Sequence, residues 1–218
     1  MSAPKPSPPQ ERLIVYVDGF NLYNGLHDKY GHGMLWLDLV AMARRFRSRQ
    51  QLVQVKYFTA PVLGDPAAQG RQAHYVAALE AKNPRLITTI SGRYQKKRFK
   101  CPICGNVHKF YEEKETDVNI AVSLVKDAAL HNMTSAIIVS ADSDLAPAVS
   151  AAQEINPTLF VAAAFPPERL SKQLKRAMPA SFTIHHSVIR QSQLPASFIA
   201  DGASFTRPSK WDPPAPTT

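Results

Sequence analysis

Short apolar runs alternate with amphipathic stretches through most of this chain. Leu13–Val17, Val53–Thr59, Leu86–Ser91, Ala136–Ser140 and Thr158–Phe165 have strand length and are rich in β-branched and aromatic residues. Between them, Asp38–Phe46, Ala67–Glu80, Ala146–Glu154 and Ser171–Ala177 carry apolar residues at helical spacing. GFNLYNGL, after the first strand, turns into another helix. Thr116 is placed as the cap of a helix that begins at Asp117 and turns Val118, Ala121, Val122, Val125 and Ala129 to one face. Phe182–His185 reads as a sixth, edge strand, which puts the neighbouring His185 and His186 on opposite faces. Strands alternating with helices predict an α/β fold: a mostly parallel sheet of five or six strands covered on both faces.

The strand ends draw attention to carboxylates. Leu13–Val17 runs straight into Asp18-Gly19-Phe20-Asn21, and Ile137–Val139 into Ser140, Asp142 and Asp144. Ligands of open α/β sheets bind outside the carboxyl ends of the strands. Asp117 opens the helix after the 92–111 stretch and brings a further carboxylate towards that edge. Acidic groups converging there repel one another unless a hard cation lies between them, and an oxygen-rich set suits Mg²⁺ or Mn²⁺. For each aspartate alone, a helix cap or a favourable charge at a helix N-terminus is the structural alternative.

Charge changes the picture next. The 218 residues include 26 Lys plus Arg against 17 Asp plus Glu, a formal charge of +9 that favours a polyanionic partner. The segment 92–111 concentrates it, as an insert in the α/β pattern. Arg93, Lys96, Lys97, Arg98, Lys100 and Lys109 interleave there with Tyr94, Phe99, Phe110 and Tyr111, and Lys114 follows. Cations beside stacking rings suit single-stranded nucleic acid; the alternative is a solvated hairpin whose rings belong to the core. Within it, CPICG supplies Cys101 and Cys104, and His108 follows. Two readings stand: a structural Zn²⁺ completed by a distant group such as His74 or His131 or by another subunit, or a β-turn with reduced thiols. The CxxC spacing, the lack of an apolar N-terminal core and the lack of a membrane-length apolar run lead us to expect a cytoplasmic protein. Residues 1–11 are expected to be a disordered arm, 12–190 the folded domain, and 191–218 a Pro-rich, largely disordered tail that Phe198 and Phe205 could tack to the surface. A homo-oligomer is compatible with the sequence but not derivable from it.

VDGFNLY (Val17–Tyr23), EKETDVNIAVSLV (Glu113–Val125) and SADSDLAPAV (Ser140–Val149) resemble the NYN domain family, LabA-like members of the PIN-like nuclease superfamily. The resemblance spans about residues 12–188. It implies a three-layer α/β/α PIN-like fold and metal-dependent endoribonuclease activity. Asp18, Asp117, Asp142 and Asp144 match the family's acidic positions, and Asn21 and Ser140 its polar supporting positions. Ala141 stands where the family usually has Gly, and Leu145 where an aromatic is common. Three readings follow: a metal-dependent ribonuclease, a catalytically silent RNA-binding module of the same fold, and, last, another phosphoryl-transfer enzyme, for which the Walker A pattern is missing.

Overall fold

The computed structural model describes residues 11–213; within the 93–114 segment, the side chains at 95–96, 100 and 108–114 lie outside the description. The elements run β1 (Arg12–Asp18), α1 (Gly19–Tyr30), α2 (Leu39–Phe46), β2 (Gln51–Thr59), α3 (Pro66–Lys82), β3 (Ile87–Ser91), β4 (Arg93–Lys100) and β5 (Val107–Lys114). There follow α4 (Thr116–Ala129), β6 (Ser135–Val139), a 3-10 turn (Ser143–Leu145), α5 (Ala146–Ile155), β7 (Phe160–Phe165), α6 (Lys172–Ala177) and β8 (Phe182–Thr183). The chain closes with α7 (His186–Gln191), β9 (Ser197–Ala200), β10 (Ala203–Thr206) and a second 3-10 turn, Ser209–Trp211.

Six strands form one sheet in the order β3-β2-β1-β6-β7-β8, every pairing parallel. Alternation along each strand builds two cores from one sequence run. Leu13, Val15 and Val17 of β1 face one layer with α1, α2 and α3, while Ile14 and Tyr16 face the other with α4, α5 and α6. This is the three-layer α/β/α arrangement expected from the alternating pattern. Two glycines let backbones touch. A Cβ on Gly19 would lie 2.6 Å from the Phe58 carbonyl oxygen, and one on Gly25 would lie 2.5 Å from that of Pro167. Gly25 thus lets the loop after β7 close onto α1.

Four local expectations need correction. Glu115, not Thr116, precedes the first turn of α4; its φ of 80° places it in the left-handed region, and it makes no side-chain capping bond. The inward face of α4 is Thr116, Ile120, Leu124, Asp127 and Ala128, whereas Val118 and Val122 are exposed. A helix apolar on more than one face leaves periodicity unable to choose, and here buried Asp127, bonded by Tyr16 Oη at 2.6 Å and Lys56 Nζ at 2.5 Å, belongs to the inward one. His185 and His186 are not on a strand: His185 caps α7, accepting from the Ser187 amide, and the helix begins at His186. The fourth is the C-terminal stretch, expected to be largely disordered from residue 191. It forms the β9–β10 hairpin and the second 3-10 turn through Trp211, while 214–218 and residues 1–10 of the arm expected at 1–11 lie outside the described residues. Aromatic burial outweighs the proline content. The Trp211 ring meets Trp36 at 6.2 Å and Tyr75 at 5.7 Å, and Phe205 stacks on Phe198 at 5.3 Å. Each buried ring contributes roughly 1.5–3 kcal/mol against the entropy of ordering the segment. Among the described residues, no helix is long and apolar enough to cross a membrane.

Candidate active site at the carboxyl edge of the sheet

From β1 the chain winds outward through β2 and β3, and from β6 it winds the opposite way through β7 and β8. The crevice between the carboxyl ends of β1 and β6 is therefore the topological switch point, where open α/β sheets place their ligands. β1 ends in Asp18, and Ser140 follows the last residue of β6.

Asp18 is only 2% exposed and Ser140 is fully buried. The Ser140 hydroxyl donates to Asp18 Oδ2 at 2.8 Å and accepts from the Asp142 amide at 3.0 Å, so one side chain joins the two strand ends. Asp18 Oδ1 accepts from the Asn21 amide at 3.0 Å, capping α1. Asn21 then reaches back: its Oδ1 accepts from the Ala141 amide at 3.1 Å, locking the loop after β6 to α1. Asp142 Oδ1 accepts from the Asp144 amide at 2.9 Å and so caps the first 3-10 turn. Asp144 points from that turn into solvent, and Asp117 is half-buried in the first turn of α4, which packs against the same turn.

The structure thus draws together Asp18, Asp142, Ser140 and Asn21, with Asp144 and Asp117 flanking. It does not gather all four carboxylates: among the described residues, no group of three or more His, Cys, Asp or Glu side chains is placed to hold one metal ion. The expected four-way convergence is a pair with two outliers, because Asp142 is turned to its own helical turn and Asp144 faces outward. A pair still fits Mg²⁺ or Mn²⁺ chemically. Mg²⁺ keeps several waters and is commonly held by one or two carboxylates plus substrate phosphates rather than by an all-protein cage.

Burial pushes the Asp18 carboxyl above the usual carboxylate range; bonds from Asn21 and Ser140 oppose that shift, and the Asp142 charge adds to it. Burial likewise pushes Tyr57, below the site, up to about 12, with the Asp18 charge contributing. An acid whose folded pKa is raised binds its proton more tightly in the fold. Ionising Asp18 therefore costs stability as pH rises from about 4 through the raised value, and the cost stays constant above it. Asp18→Asn is expected to raise the melting temperature by ~2–4 °C at pH 7 in chelator, with no gain at pH 4. An equal gain at both pH values in a thermal melt would remove Asp18 ionisation as the cause.

One feature of the edge had no signal in the sequence. A hollow of about 340 Å³ adjoins the acidic pair, lined by Asn21, Asn24, Ala141, Glu168, Arg169 and Leu170. Arg169 pairs with Asp28, and its Nε is buried with no hydrogen-bond partner. It lies in the loop after β7, where nothing in PPERLS marks it; the close approach at Gly25 and the pairs Arg169–Asp28 and Glu168–Lys29 hold that loop against α1.

The basic insert is an antiparallel hairpin, β4 with β5, springing from the same edge: the Gly92 amide donates to the Thr59 carbonyl at 2.8 Å, and β5 leads into α4. Arg93, Lys97, Arg98 and Phe99 are exposed, and Tyr94 meets Phe20 edge-on at 6.5 Å. Register pairs Lys96 with Tyr111, Arg98 with Lys109, and Arg93 with Lys114; the side chains of Lys96, Lys100, Lys109 and Lys114 lie outside the described residues. Cys101 and Cys104 stand at the hairpin's tip, where amides of Cys104 and Ile103 hold the Cys101 thiol below its ordinary pKa. The proposed third ligand, His108, has a side chain outside the described residues. The distant candidates are committed elsewhere: His74 stacks on Trp36 at 5.7 Å, and His131 lies near the amino end of β1, where its carbonyl accepts from Arg12 at 2.6 Å.

Comparison with known proteins bears on the family and the fold. A family model described as NYN domain matches residues 12–186. A curated Pseudomonas putida protein (strain DSM 28022 / S16), named 6-hydroxy-3-succinoylpyridine 3-monooxygenase HspA, is 29% identical, covering 63% of this chain and 54% of that protein. The chain thus spans about half the length of that relative. A crystal structure of a Vibrio parahaemolyticus protein of unknown function superposes with a TM-score of 0.55 at 18% identity, covering 83% of this chain and 97% of that one. That likeness concerns the fold.

Proposed function

We propose that this chain, which belongs to the NYN domain family, is a metal-dependent endoribonuclease that hydrolyses phosphodiester bonds of single-stranded or structured RNA at the crevice between β1 and β6. The observation that carries the reading is the joining of Asp18 and Asp142 through Ser140 at the switch point of the sheet. A buried carboxylate at a strand end costs free energy unless a partner compensates it, and Asp18 keeps part of that cost despite its bonds from Asn21 and Ser140. Asp18 and Asp142 would hold Mg²⁺ or Mn²⁺, with Asp117 and Asp144 acting through waters. The ion supplies charge neutralisation at phosphorus and a more acidic water. The chain supplies the rest. Ser140 and Asn21 fix the carboxylates in orientation by the bonds given above. Arg169, across the adjoining hollow, offers a guanidinium to a phosphate oxygen. The hairpin gathers the RNA backbone beside Asp117.

HspA's name describes a monooxygenase of a substituted pyridine; at 29% identity over about half of that protein, the name does not outweigh an acidic edge on a +9 chain. The same fold acting as a silent RNA-binding module remains the rival. Incubating single-stranded RNA with the protein in Mg²⁺ or Mn²⁺ should give internal cleavage that chelator abolishes. Cleavage unaffected by chelator would refute the metal mechanism, and tight binding without cleavage in either metal would favour the silent module.

A further inference from the structure

We propose that a second cavity, between α1 and α3, binds one planar heteroaromatic ring bearing an anionic group, a ligand of mononucleotide size. It encloses about 630 Å³, within the usual range of small-ligand sites. Six parts of the chain build it: α1, the loop after it with His32 and Leu35, the end of β2 with its following loop, α3, Tyr94 of the hairpin, and Lys210 with Trp211 of the C-terminal turn. It is distinct from the hydrolytic centre, although Gly19, which follows Asp18, forms part of its wall.

The lining suits a flat ring. Phe20, Tyr23, Tyr57, Tyr75, Tyr94 and Trp211 present aromatic surface, and their relative positions are set by packing. Trp211 meets Tyr75 at 5.7 Å, Tyr57 meets Tyr75 at 6.4 Å, and Phe20 meets Tyr94 at 6.5 Å. Polar groups of the wall are already engaged, so the cavity is formed in advance of any ligand. Gln72 accepts from the Val62 amide at 2.8 Å and donates to Thr59 Oγ1 at 3.1 Å and the Ala60 carbonyl at 2.9 Å. Tyr75 donates to the Leu37 carbonyl at 2.6 Å. Such preorganisation lowers the ordering cost of binding.

The rim supplies the charge. His32, Arg71 and Lys210 converge on it, near enough that Lys210 and Arg71, after burial and His27, hold the His32 pKa down. Their one carboxylate neighbour in the lining, Asp65, caps α3 through the Ala68 amide at 2.9 Å. Among the described residues neither Arg71 nor Lys210 forms an ion pair, which leaves a cationic rim over an aromatic floor. An aromatic carboxylate or phosphate satisfies both. The same chemistry could come from a free small molecule or from one unstacked nucleotide of an RNA strand.

The test measures binding in chelator, so that it does not depend on cleavage. Quenching of tryptophan fluorescence from Trp36 and Trp211 is titrated with adenosine 5′-monophosphate, uridine 5′-monophosphate and pyridine-3-carboxylate. Adenosine and pyridine-3-carboxamide serve as neutral controls, and a short oligoribonucleotide as the polymer arm. At least one anionic probe should bind saturably and about tenfold or more tighter than its neutral control. Arg71→Ala with Lys210→Ala should weaken it by a similar factor without shifting the melting temperature, and Ala68→Trp should block it. Lys210→Met and the neutral controls on the wild-type protein keep the test decisive should the double substitution unfold. Binding of nucleotides and oligoribonucleotide but not the pyridine acid assigns the site to RNA; the reverse assigns it to a free aromatic acid. No saturable binding below about 10 mM, or affinity indifferent to the anionic group and to both rim substitutions, overturns the proposal. Asp142→Asn should leave probe binding unchanged, so failure here and failure of the ribonuclease reading remain separable.

Discussion

Asp142→Asn is expected to slow RNA cleavage by about 10³-fold, close to 4 kcal/mol of lost transition-state stabilisation at 1.4 kcal/mol per decade. The substitution removes one formal charge from the edge and little else. Asparagine keeps an oxygen where Asp142 Oδ1 accepts from the Asp144 amide, so the 3-10 turn retains its cap. The Asp142 amide still donates to Ser140, which still donates to Asp18. The melting temperature should therefore change little, and RNA affinity in chelator should hold or rise slightly, since a negative charge facing phosphate is gone. Single-turnover cleavage with saturating protein separates the chemical step from binding. Asp144→Asn and Asp117→Asn should cost less, because neither residue joins the Ser140-bridged pair. A loss smaller than tenfold for Asp142→Asn would defeat the assignment of this pair as the centre.

How far the sequence disclosed this site depends on how local each signal was. β1 and β6 are apolar runs that stop abruptly, and such runs declare both the strand and its end; Asp18 and Ser140 could therefore be placed at the edge from the pattern alone. The pairing of those two ends is not local. It follows from β6 docking beside β1, which the alternating pattern permits but does not specify. Asp142 was legible as a carboxylate at the edge, while its use as the cap of a 3-10 turn depends on a backbone geometry that propensity does not fix. Arg169 was invisible because its position rests on contacts with Gly25 and Asp28 of α1, about 140 residues away, and no periodicity reports such contacts. The C-terminal segment misled for a related reason. Proline content argued for disorder, but Trp211 finds Trp36 and Tyr75 in space, and those partners cannot be read from its neighbours in the chain. The cavity that Trp211 and Lys210 help to close was correspondingly absent from any sequence reading.

Replacing Lys96, Lys97 and Arg98 together with alanine should weaken RNA binding about 10–100-fold and reduce the slope of log K against log salt by about 2, since each single-strand phosphate contact contributes about 0.7. The hairpin is suited to this role by where it starts and ends. It leaves the sheet after β3 at the carboxyl edge and returns at α4, whose first turn carries Asp117. Its ladder is complete from Arg93–Lys114 to Lys100–Val107, and β4 keeps its hydrogen bonds whatever side chains it bears, so the substitutions should leave the domain folded. Lys97 and Arg98 are exposed, as is Phe99, at 53%, which offers a ring for a base to stack on. Phe99→Ala should then weaken binding with the salt slope unchanged, because stacking releases no counterions. The two substitutions separate charge from stacking on one strand, read by fluorescence anisotropy of a labelled single strand across a salt series in chelator. A triple variant with wild-type slope would place the phosphate contacts elsewhere on the +9 surface and detach the hairpin from the path of the RNA.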